Sequence, residues 1–409
     1  MSAESQAQRT VARRKVFYIP GFDPIHPRRY RELFRKEAAA QAAISGYEVT
    51  LAGKPAAKGQ DDPYGWRLTG RMEGAEVAAD VSVLVWTDIV RDSMGSSIAA
   101  TYLALCRTAW VYIASGALFR LMRLRKGPVI AALYPVGFLL GQLALALGLG
   151  WAAGAGAAAV IGWPGWLAAL AVIPAVLTWF RKRDNRWFAY YLMHDYSFSA
   201  QARGGNPPAL EQRMTEFRAL IAEALTQDWD EVLVVGHSSG AHLAISVLSD
   251  LLRADQLPET GPELSFLSLG QVVPMVSFLP KAGRLRADLA YLSAQRRIFW
   301  LDVSAPGDGC AFALCDPAGV SGVATEGQCA PLILSAAFTQ TLSPERWKAL
   351  RWRFFRLHFQ YLCAFDRPGA YDYFRVTAGP QSLRARFAGL APSKSRITRP
   401  VNRHTSVRP

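Results

Sequence analysis

The run Gly236-His237-Ser238-Ser239-Gly240 combines residue types and spacing that suggest nucleophilic chemistry. An apolar stretch at residues 231–235 precedes the run, and an Ala-rich helical stretch follows it. Gly-x-Ser-x-Gly in this context is typical of a sharp strand-to-helix turn that lifts a serine hydroxyl clear of a sheet. The flanking glycines let neighbouring backbone approach, and the following helix N-terminus favours negative charge. Ser238 is therefore predicted to be a nucleophile; the alternative is a plain strand–turn–helix.

The segments that must position this turn alternate between strand and helix patterns. Helices are predicted at residues 28–46 and 209–226, and strands at residues 16–20, 47–51, 81–86, 231–235, 265–269 and 297–303. Strands that alternate with helices favour a mostly parallel sheet with helices on both faces. Neither the part before residue 98 nor the part after residue 186 has enough strands alone. We therefore expect one α/β domain whose chain is interrupted by an insertion.

The motif in this context resembles the α/β-hydrolase superfamily over residues 16–97 and 187–376, with the intervening segment as an insertion. The resemblance implies the order serine, acid, histidine along the chain. The sequence has six histidines, and His358 is the one that lies downstream of the motif, beyond the helix after it and before the C-terminal tail. The resemblance therefore implies His358 as the general base. A histidine packed among the aromatic residues FFRLHFQYL is the alternative.

The same resemblance implies the acid and the oxyanion donors. It places the acid after the second strand beyond the motif, where Asp308 lies between glycines and is preferred to Asp302 in the strand itself. A carboxylate that caps a turn is the non-catalytic interpretation. The backbone N–H groups of Ser239 and Phe22 are implied to form the oxyanion hole. Together these groups would perform acyl transfer through a serine ester, without a cofactor.

The insertion contains a long uncharged run. Residues 127–180 are 54 consecutive residues without Asp, Glu, Lys or Arg. A helix of that length would reach about 80 Å, whereas the apolar core of a bilayer is about 30 Å thick. We predict two membrane spans, at about 129–151 and 157–180, joined by the Gly/Ala stretch 152–158. Because basic residues flank both ends of the run, the positive-inside rule predicts that the α/β domain faces the cytoplasm from a multi-pass inner membrane protein.

Two further segments complete the predicted organisation, which has the boundaries 1–97, 98–186, 187–376 and 377–409. Residues 98–119 are apolar with one charge, Arg107, and are interpreted as an interfacial helix or a helix packed on the domain; a lid and a further span are the alternatives. Residues 377–409 are basic without apolar periodicity. We predict that this tail is disordered and lies on anionic lipid.

Composition narrows the possible partners. The chain has 46 Lys and Arg against 32 Asp and Glu, a formal net charge of +14, and hydrophobic residues make up 51%. These values exclude a disordered chain, and five cysteines exclude a disulfide scaffold. No nucleic-acid motif accompanies the positive charge, so the lipid bilayer is the expected partner. The spacing of Cys310, Cys315 and Cys329 matches no zinc pattern, and no metal is predicted.

These observations predict a membrane-anchored serine hydrolase that cleaves an ester or thioester of an acylated or lipid-like small substrate. An active site held at a bilayer meets amphiphiles at high local concentration, which is the basis for the substrate class. The alternative is a hydrolase-like membrane scaffold or receptor that has lost catalysis.

Overall fold

A computed structural model of the chain describes residues 10–54, 63–94 and 97–408. Within these residues one eight-stranded sheet forms, in the order β2-β3-β4-β1-β5-β6-β7-β8. Its strands are β1 (Arg13–Ile19), β2 (Glu48–Gly53), β3 (Gly65–Met72), β4 (Ala75–Val83), β5 (Glu231–His237), β6 (Glu263–Leu269), β7 (Phe299–Ser304) and β8 (Leu332–Ser335). The pairings from β4 to β8 are parallel, and β3 is antiparallel to both of its neighbours. The prediction of a mostly parallel α/β sheet is confirmed.

The central strand β1 joins the two parts of the chain that flank the insertion. Its residue Val16 lies opposite Val81 of β4 on one side and opposite Leu233 of β5 on the other. One sheet therefore contains strands from before and after the insertion. The sequence patterns missed β3, in which Arg67, Thr69 and Arg71 alternate with buried residues, and β8, which is only four residues long.

Helices cover both faces of this sheet. They are α1 (Arg28–Ser45), α2 (Thr87–Ser93), α3 (Ile98–Ala114), α4 (Ala117–Leu124), α5 (Lys126–Ile161), α6 (Leu167–Arg181), α7 (Asp184–Trp187), α8 (Ala189–Gln201), α9 (Pro208–Leu225), α10 (Gly240–Arg253), α11 (Val273–Ser277), α12 (Gly283–Ser293), α13 (Pro317–Ser321), α14 (Phe338–Thr341), α15 (Pro344–Leu350), α16 (Phe354–His358), α17 (Tyr373–Ala378) and α18 (Leu383–Phe387). Alternate residues of β5 supply two separate cores: Val234 packs with α9, α10 and α12, whereas Leu233 packs with α1 and α17. Such two-sided burial explains why β5 is apolar throughout.

Two helices of the insertion, α5 and the stretch Trp163–Arg181 that contains α6, are long and apolar enough to cross a membrane. Among the described residues, a further candidate for a crossing is the pair α2 and α3, which are bent by 98° and would have to form one span. The predicted link at residues 152–158 is wrong, because α5 continues to Ile161 and the chain turns at Gly162. Alanine favours a helix, whereas Gly162 has φ 76° and precedes a short 3-10 helix that contains Pro164.

Small residues let the two long helices pack closely. A Cβ at Gly150 would lie 2.6 Å from Ile173, and one at Gly154 would lie 2.6 Å from the Trp166 ring. Glycines at such a contact allow close packing where no water drives helices together. The Gly/Ala stretch that was predicted to be a loop is thus part of a helix–helix interface.

Residues 98–119 form α3 and the beginning of α4 rather than one continuous helix. Leu105 of α3 is buried with Leu139 of α5 and Met193 of α8, and Arg107 donates to the Gln201 carbonyl. Trp110 on the opposite side of α3 is 70% exposed. Helix α3 therefore packs on one side against α8, the helix that follows the hairpin, and exposes Trp110 on its other side.

The prediction that residues 377–409 form a disordered tail is wrong for the described part, which ends at residue 408. Helix α18 lies in it, Arg14 donates to the Gly379 carbonyl over 2.8 Å, and Arg286 donates to the Ser406 carbonyl over 2.6 Å. Asp316 N–H also donates to the Ile397 carbonyl. Backbone hydrogen bonds hold this segment on the α/β body, and such contacts leave no apolar period in a sequence. The boundary of the α/β domain at residue 376 is corrected accordingly.

Candidate active site

The turn at Ser238 has the strained geometry that its motif predicts. Strand β5 ends at His237, Ser238 has φ 56°, and α10 begins at Gly240. A Cβ at Gly240 would lie 2.0 Å from the Ile19 carbonyl oxygen, and one at Gly236 would lie 2.7 Å from Ala241 Cα. Side chains are therefore excluded at both glycines. The left-handed conformation of a non-glycine residue costs about 1–3 kcal/mol, and such strain is found most often at functional sites.

The loop after β1 passes directly beside the Ser238 side chain. A Cβ at Gly21 would lie 3.0 Å from Ser238 Cβ and 3.4 Å from Ser238 Oγ. Among the hydrogen bonds of the described residues, none has the N–H of Phe22 or of Ser239 as its donor. Neither amide thus has an internal acceptor, which leaves both N–H groups available to an oxygen atom of a bound molecule.

Asp308 and His358 form a buried pair. Asp308 Oδ2 lies 2.7 Å from His358 Nδ1, while Tyr361 OH donates to the same oxygen over 3.0 Å and Cys310 N–H donates to Oδ1 over 2.9 Å. Burial alone would raise the pKa of Asp308, but His358 and these donors outweigh burial and lower that pKa. An ionised Asp308 orients the imidazole with Nδ1–H toward the carboxylate, so that Nε2 is the nitrogen left to accept a proton.

Ser238 and His358 line one cleft of about 1210 Å³. His358 Nε2 is buried and has no hydrogen-bond partner among the described residues, and the Ser238 hydroxyl forms no hydrogen bond to it. His237 packs against the imidazole of His358. The two rings stack at a centroid distance of 4.9 Å, and His237 Nε2 lies 3.1 Å from the His358 carbonyl oxygen. Burial, reinforced by the neighbouring His358, lowers the pKa of His237 to about 3, so His237 is neutral.

The alternative acid, Asp302, lies elsewhere. It is fully buried within β7, where Ser268 Oγ donates to it over 2.6 Å, and none of its hydrogen bonds involves His358. Burial raises the pKa of Asp302 to about 7, against the hydrogen bonds from Ser268 and Ser304. The structure therefore brings Asp308, and not Asp302, to the imidazole.

Sequence patterns missed two side chains of the site. Tyr361 binds Asp308 from the position three residues after His358, a helical spacing that could have indicated it. Asp195 of α8 lines the cleft without a hydrogen bond or ion pair to any described residue. Burial raises the pKa of Asp195 to about 7, and the neighbouring His358 partly offsets this rise. No motif surrounds Asp195, and only the packing of α8 brings it to the cleft.

Three potential metal ligands meet in this site, although the cysteine spacing predicts none. Ligand atoms of Asp308, Cys310 and His358 lie within 4.8 Å of one another. The 2.7 Å contact between Asp308 and His358 already uses the carboxylate and Nδ1 for each other. Burial, followed by the nearby carboxylates, raises the pKa of the Cys310 thiol well above its usual range, which disfavours the thiolate that a metal needs.

No protein-family model, no curated protein and no solved structure matches this chain. The sheet is of a general α/β type that supports many functions. The relationship to α/β-hydrolases therefore stays an expectation from the motif.

Proposed function

We propose that this protein is a membrane-anchored serine hydrolase that cleaves an ester or thioester of an acylated, lipid-like substrate. The observation that carries the proposal is the buried Asp308–His358 pair: His358 Nε2 has no hydrogen-bond partner among the described residues, and His358 lines the same cleft as Ser238. Acyl transfer needs a nucleophile, a base and a group that orients the base, and these three side chains have the corresponding chemistry.

In the proposed reaction, Ser238 Oγ attacks the substrate carbonyl carbon and passes its proton to His358 Nε2. The oxyanion receives hydrogen bonds from the N–H groups of Phe22 and Ser239. The intermediate collapses, the carbon–oxygen or carbon–sulfur bond breaks, and His358 returns the proton to the leaving alcohol or thiol. Water then repeats the sequence on the serine ester and releases the acid. Substrate binding must draw the hydroxyl and the imidazole together, as catalytic hydrogen bonds often tighten only in the complex.

The missing hydrogen bond between Ser238 and His358 also favours a second candidate. A scaffold or receptor with a hydrolase-like cleft would keep the fold without aligning these two groups. Such a protein would bind an amphiphile without turnover. Labelling by an active-site probe separates the two candidates, because only a nucleophilic serine reacts covalently.

The decisive experiment is labelling of membranes with a fluorophosphonate. The wild-type chain should be labelled and should hydrolyse a short-chain nitrophenyl ester, and Ser238→Ala should abolish both. Ser395→Ala, which changes an exposed serine far along the chain, is the matched control and should leave both signals intact. Labelling that survives Ser238→Ala would exclude the proposal. Loss of hydrolysis on chelation, with labelling unchanged, would instead favour a metal at Asp308, Cys310 and His358.

The proposal also includes an inner-membrane location with the α/β body on the cytoplasmic side. It is supported by the basic residues that flank the apolar helices, such as Arg123 before α5 and Arg183 after α6. Protease added outside sealed spheroplasts should leave the body intact. Digestion there, with a known cytoplasmic protein still protected, would reverse the orientation.

A further inference from the structure

The cleft that holds Ser238 adjoins the apolar hairpin directly. Asp184, Asn185 and Phe188 line it, and they follow the end of α6 at Arg181 by only three to seven residues. Phe188 has φ 55°, is 44% exposed, and its ring lies 5.8 Å from that of Phe355 on the segment that carries His358. If α6 crosses a bilayer, the mouth of the cleft lies where lipid headgroups begin.

Most charges in the cleft neutralise one another. The paired side chains are Arg29 with Asp23 at 3.3 Å, Arg35 with Glu32 at 3.0 Å, and Arg346 with Glu37 at 3.6 Å. Lys36 also lies 3.8 Å from Glu37, and Asp184 accepts the N–H groups of Tyr190 and Tyr191. The remaining carboxyl group, Asp195, has its pKa raised to about 7 by burial, so a large part of it is neutral near that pH.

Two cationic side chains of the cleft, Arg353 and Arg356, take no part in these ion pairs. Both are exposed, both line the cleft, and neither makes an ion pair with any described carboxylate. They lie five and two residues before His358. A guanidinium without a partner provides several N–H donors in a plane, which suits the oxygens of a phosphate.

The rest of the lining is suited to hydrocarbon. Leu33, Leu350, Phe355 and Phe359 contribute apolar surface to the cleft. Its volume of about 1210 Å³ is at or above the upper end of the usual range for small-molecule sites, which is about 300–1,000 Å³. The cleft has an apolar wall and unpaired arginines, and it lies beside the hairpin. These features suit the binding of an amphiphile with an anionic head.

We infer that the substrate is an anionic phospholipid drawn from the bilayer, with its phosphate bound by Arg353 and Arg356 and its acyl ester beside Ser238. This inference rests on the proposed hydrolase function and names its substrate class. The unpaired arginines favour a head of net negative charge over a zwitterionic head, in which a choline cation already balances the phosphate. The apolar wall accepts the acyl chain. Because the cleft adjoins the hairpin, the lipid reaches it along the membrane surface.

The test is internal competition between two lipids. The full-length protein is placed in mixed micelles with equal mole fractions of phosphatidylglycerol and phosphatidylcholine that carry the same acyl chains, one isotopically labelled, and the released products are compared. Both lipids share one surface, so recruitment by surface charge cancels. We expect a preference of about fivefold or more for the anionic lipid, which corresponds to about 1 kcal/mol. The double variant Arg353→Gln/Arg356→Gln should reduce this ratio to near one.

Arg351→Gln is the matched control, since Arg351 is exposed in the same segment but does not line the cleft. It should keep the wild-type ratio. Equal hydrolysis of both lipids by the wild-type protein, or an equal loss of preference in Arg351→Gln, would overturn the inference. A thermal unfolding midpoint that is unchanged in the double variant excludes misfolding as the cause.

Two further arms separate the possible failures. A neutral nitrophenyl ester that is not hydrolysed through Ser238 would defeat the proposed function itself, whereas its hydrolysis without a lipid preference would defeat only this inference. A short-chain glycerophosphate ester below its critical micelle concentration tests a free phosphate ester as the source. Turnover of that ester as fast as of the micellar lipid would overturn the membrane origin of the substrate; much slower turnover would support it.

Discussion

His358 Nδ1 and Asp308 Oδ2 lie 2.7 Å apart, although 50 residues separate them along the chain. The loop after β7 supplies Asp308, and the last residue of α16 is His358. Tyr361 holds the same carboxylate oxygen, and the His237 ring covers the imidazole. The pair is therefore supported on several sides, as a group that must keep a defined tautomer requires.

This relationship predicts different consequences for the two aspartates. Asp308→Asn should lower kcat about 10³–10⁴-fold, because an amide in place of the carboxylate no longer favours the required tautomer. Asp302→Asn should keep kcat within about tenfold, since it changes a side chain that neither lines the cleft nor contacts His358. Ester hydrolysis by the purified variants measures both. Equal losses in the two variants would assign no special role to the Asp308–His358 contact.

Asp302 also predicts a pH dependence of stability. Burial raises its pKa in the folded protein to about 7, whereas an unfolded Asp has a pKa of about 3.9. The folded state thus binds the proton more tightly, and stability is lost as pH rises from about 4 to 7. Asp302→Asn removes this loss. The free energy of unfolding of the variant relative to wild type should rise by about 2–4 kcal/mol between pH 4 and pH 8.

Urea unfolding of the detergent-solubilised protein at several pH values measures this difference. Asp228→Asn, which changes a carboxylate with 94% side-chain exposure, is the control and should show no such trend. A constant difference between Asp302→Asn and wild type across the pH range would contradict the raised pKa.

The hairpin interface predicts unequal effects of valine at two glycines of α5. Gly154→Val should lower the stability of the folded protein by about 1–3 kcal/mol, because its Cβ would lie 2.6 Å from the Trp166 ring. Gly148→Val should be neutral, since nothing lies within 4 Å of a Cβ at that position. Thermal unfolding in detergent measures both variants. If Gly148→Val were as destabilising as Gly154→Val, packing of α5 on the following segment would not be the cause.

A buried ion pair predicts how the C-terminal segment is held. Arg14 and Glu231 have fully buried side chains 2.6 Å apart; Arg14 also donates to the Gly379 and Gln381 carbonyls, and Glu231 accepts the Leu383 N–H. Arg14→Met should cost about 3–5 kcal/mol, because it leaves a buried carboxylate without its cation.

The neighbouring residue provides the control for this prediction. Arg13→Met removes an ion pair with the exposed Asp228 and should cost about 0–1 kcal/mol. Limited proteolysis should also release the C-terminal segment sooner in Arg14→Met than in wild type. Equal stability of the two variants would mean that Arg14 does not anchor this segment.

Local patterns in the sequence were sufficient for the features that depend on neighbouring residues. The Ser238 turn needs glycine two positions before and after it, and burial of β5 on both faces needs a continuous apolar run. The absence of charge over residues 127–180 likewise indicates two helices that are long and apolar enough to cross a membrane. In each case the cause is short-range sterics or the polarity of the surroundings, which the local residue types record directly.

Contacts between distant segments determined the remainder. The choice of Asp308 over Asp302, the arrival of Asp195 in the cleft and the unpaired arginines each depend on which elements pack together. The ordered C-terminal segment was mispredicted for the same reason. Packing and backbone hydrogen bonds between remote residues leave no periodic trace in a sequence, because either partner alone is compatible with many neighbours.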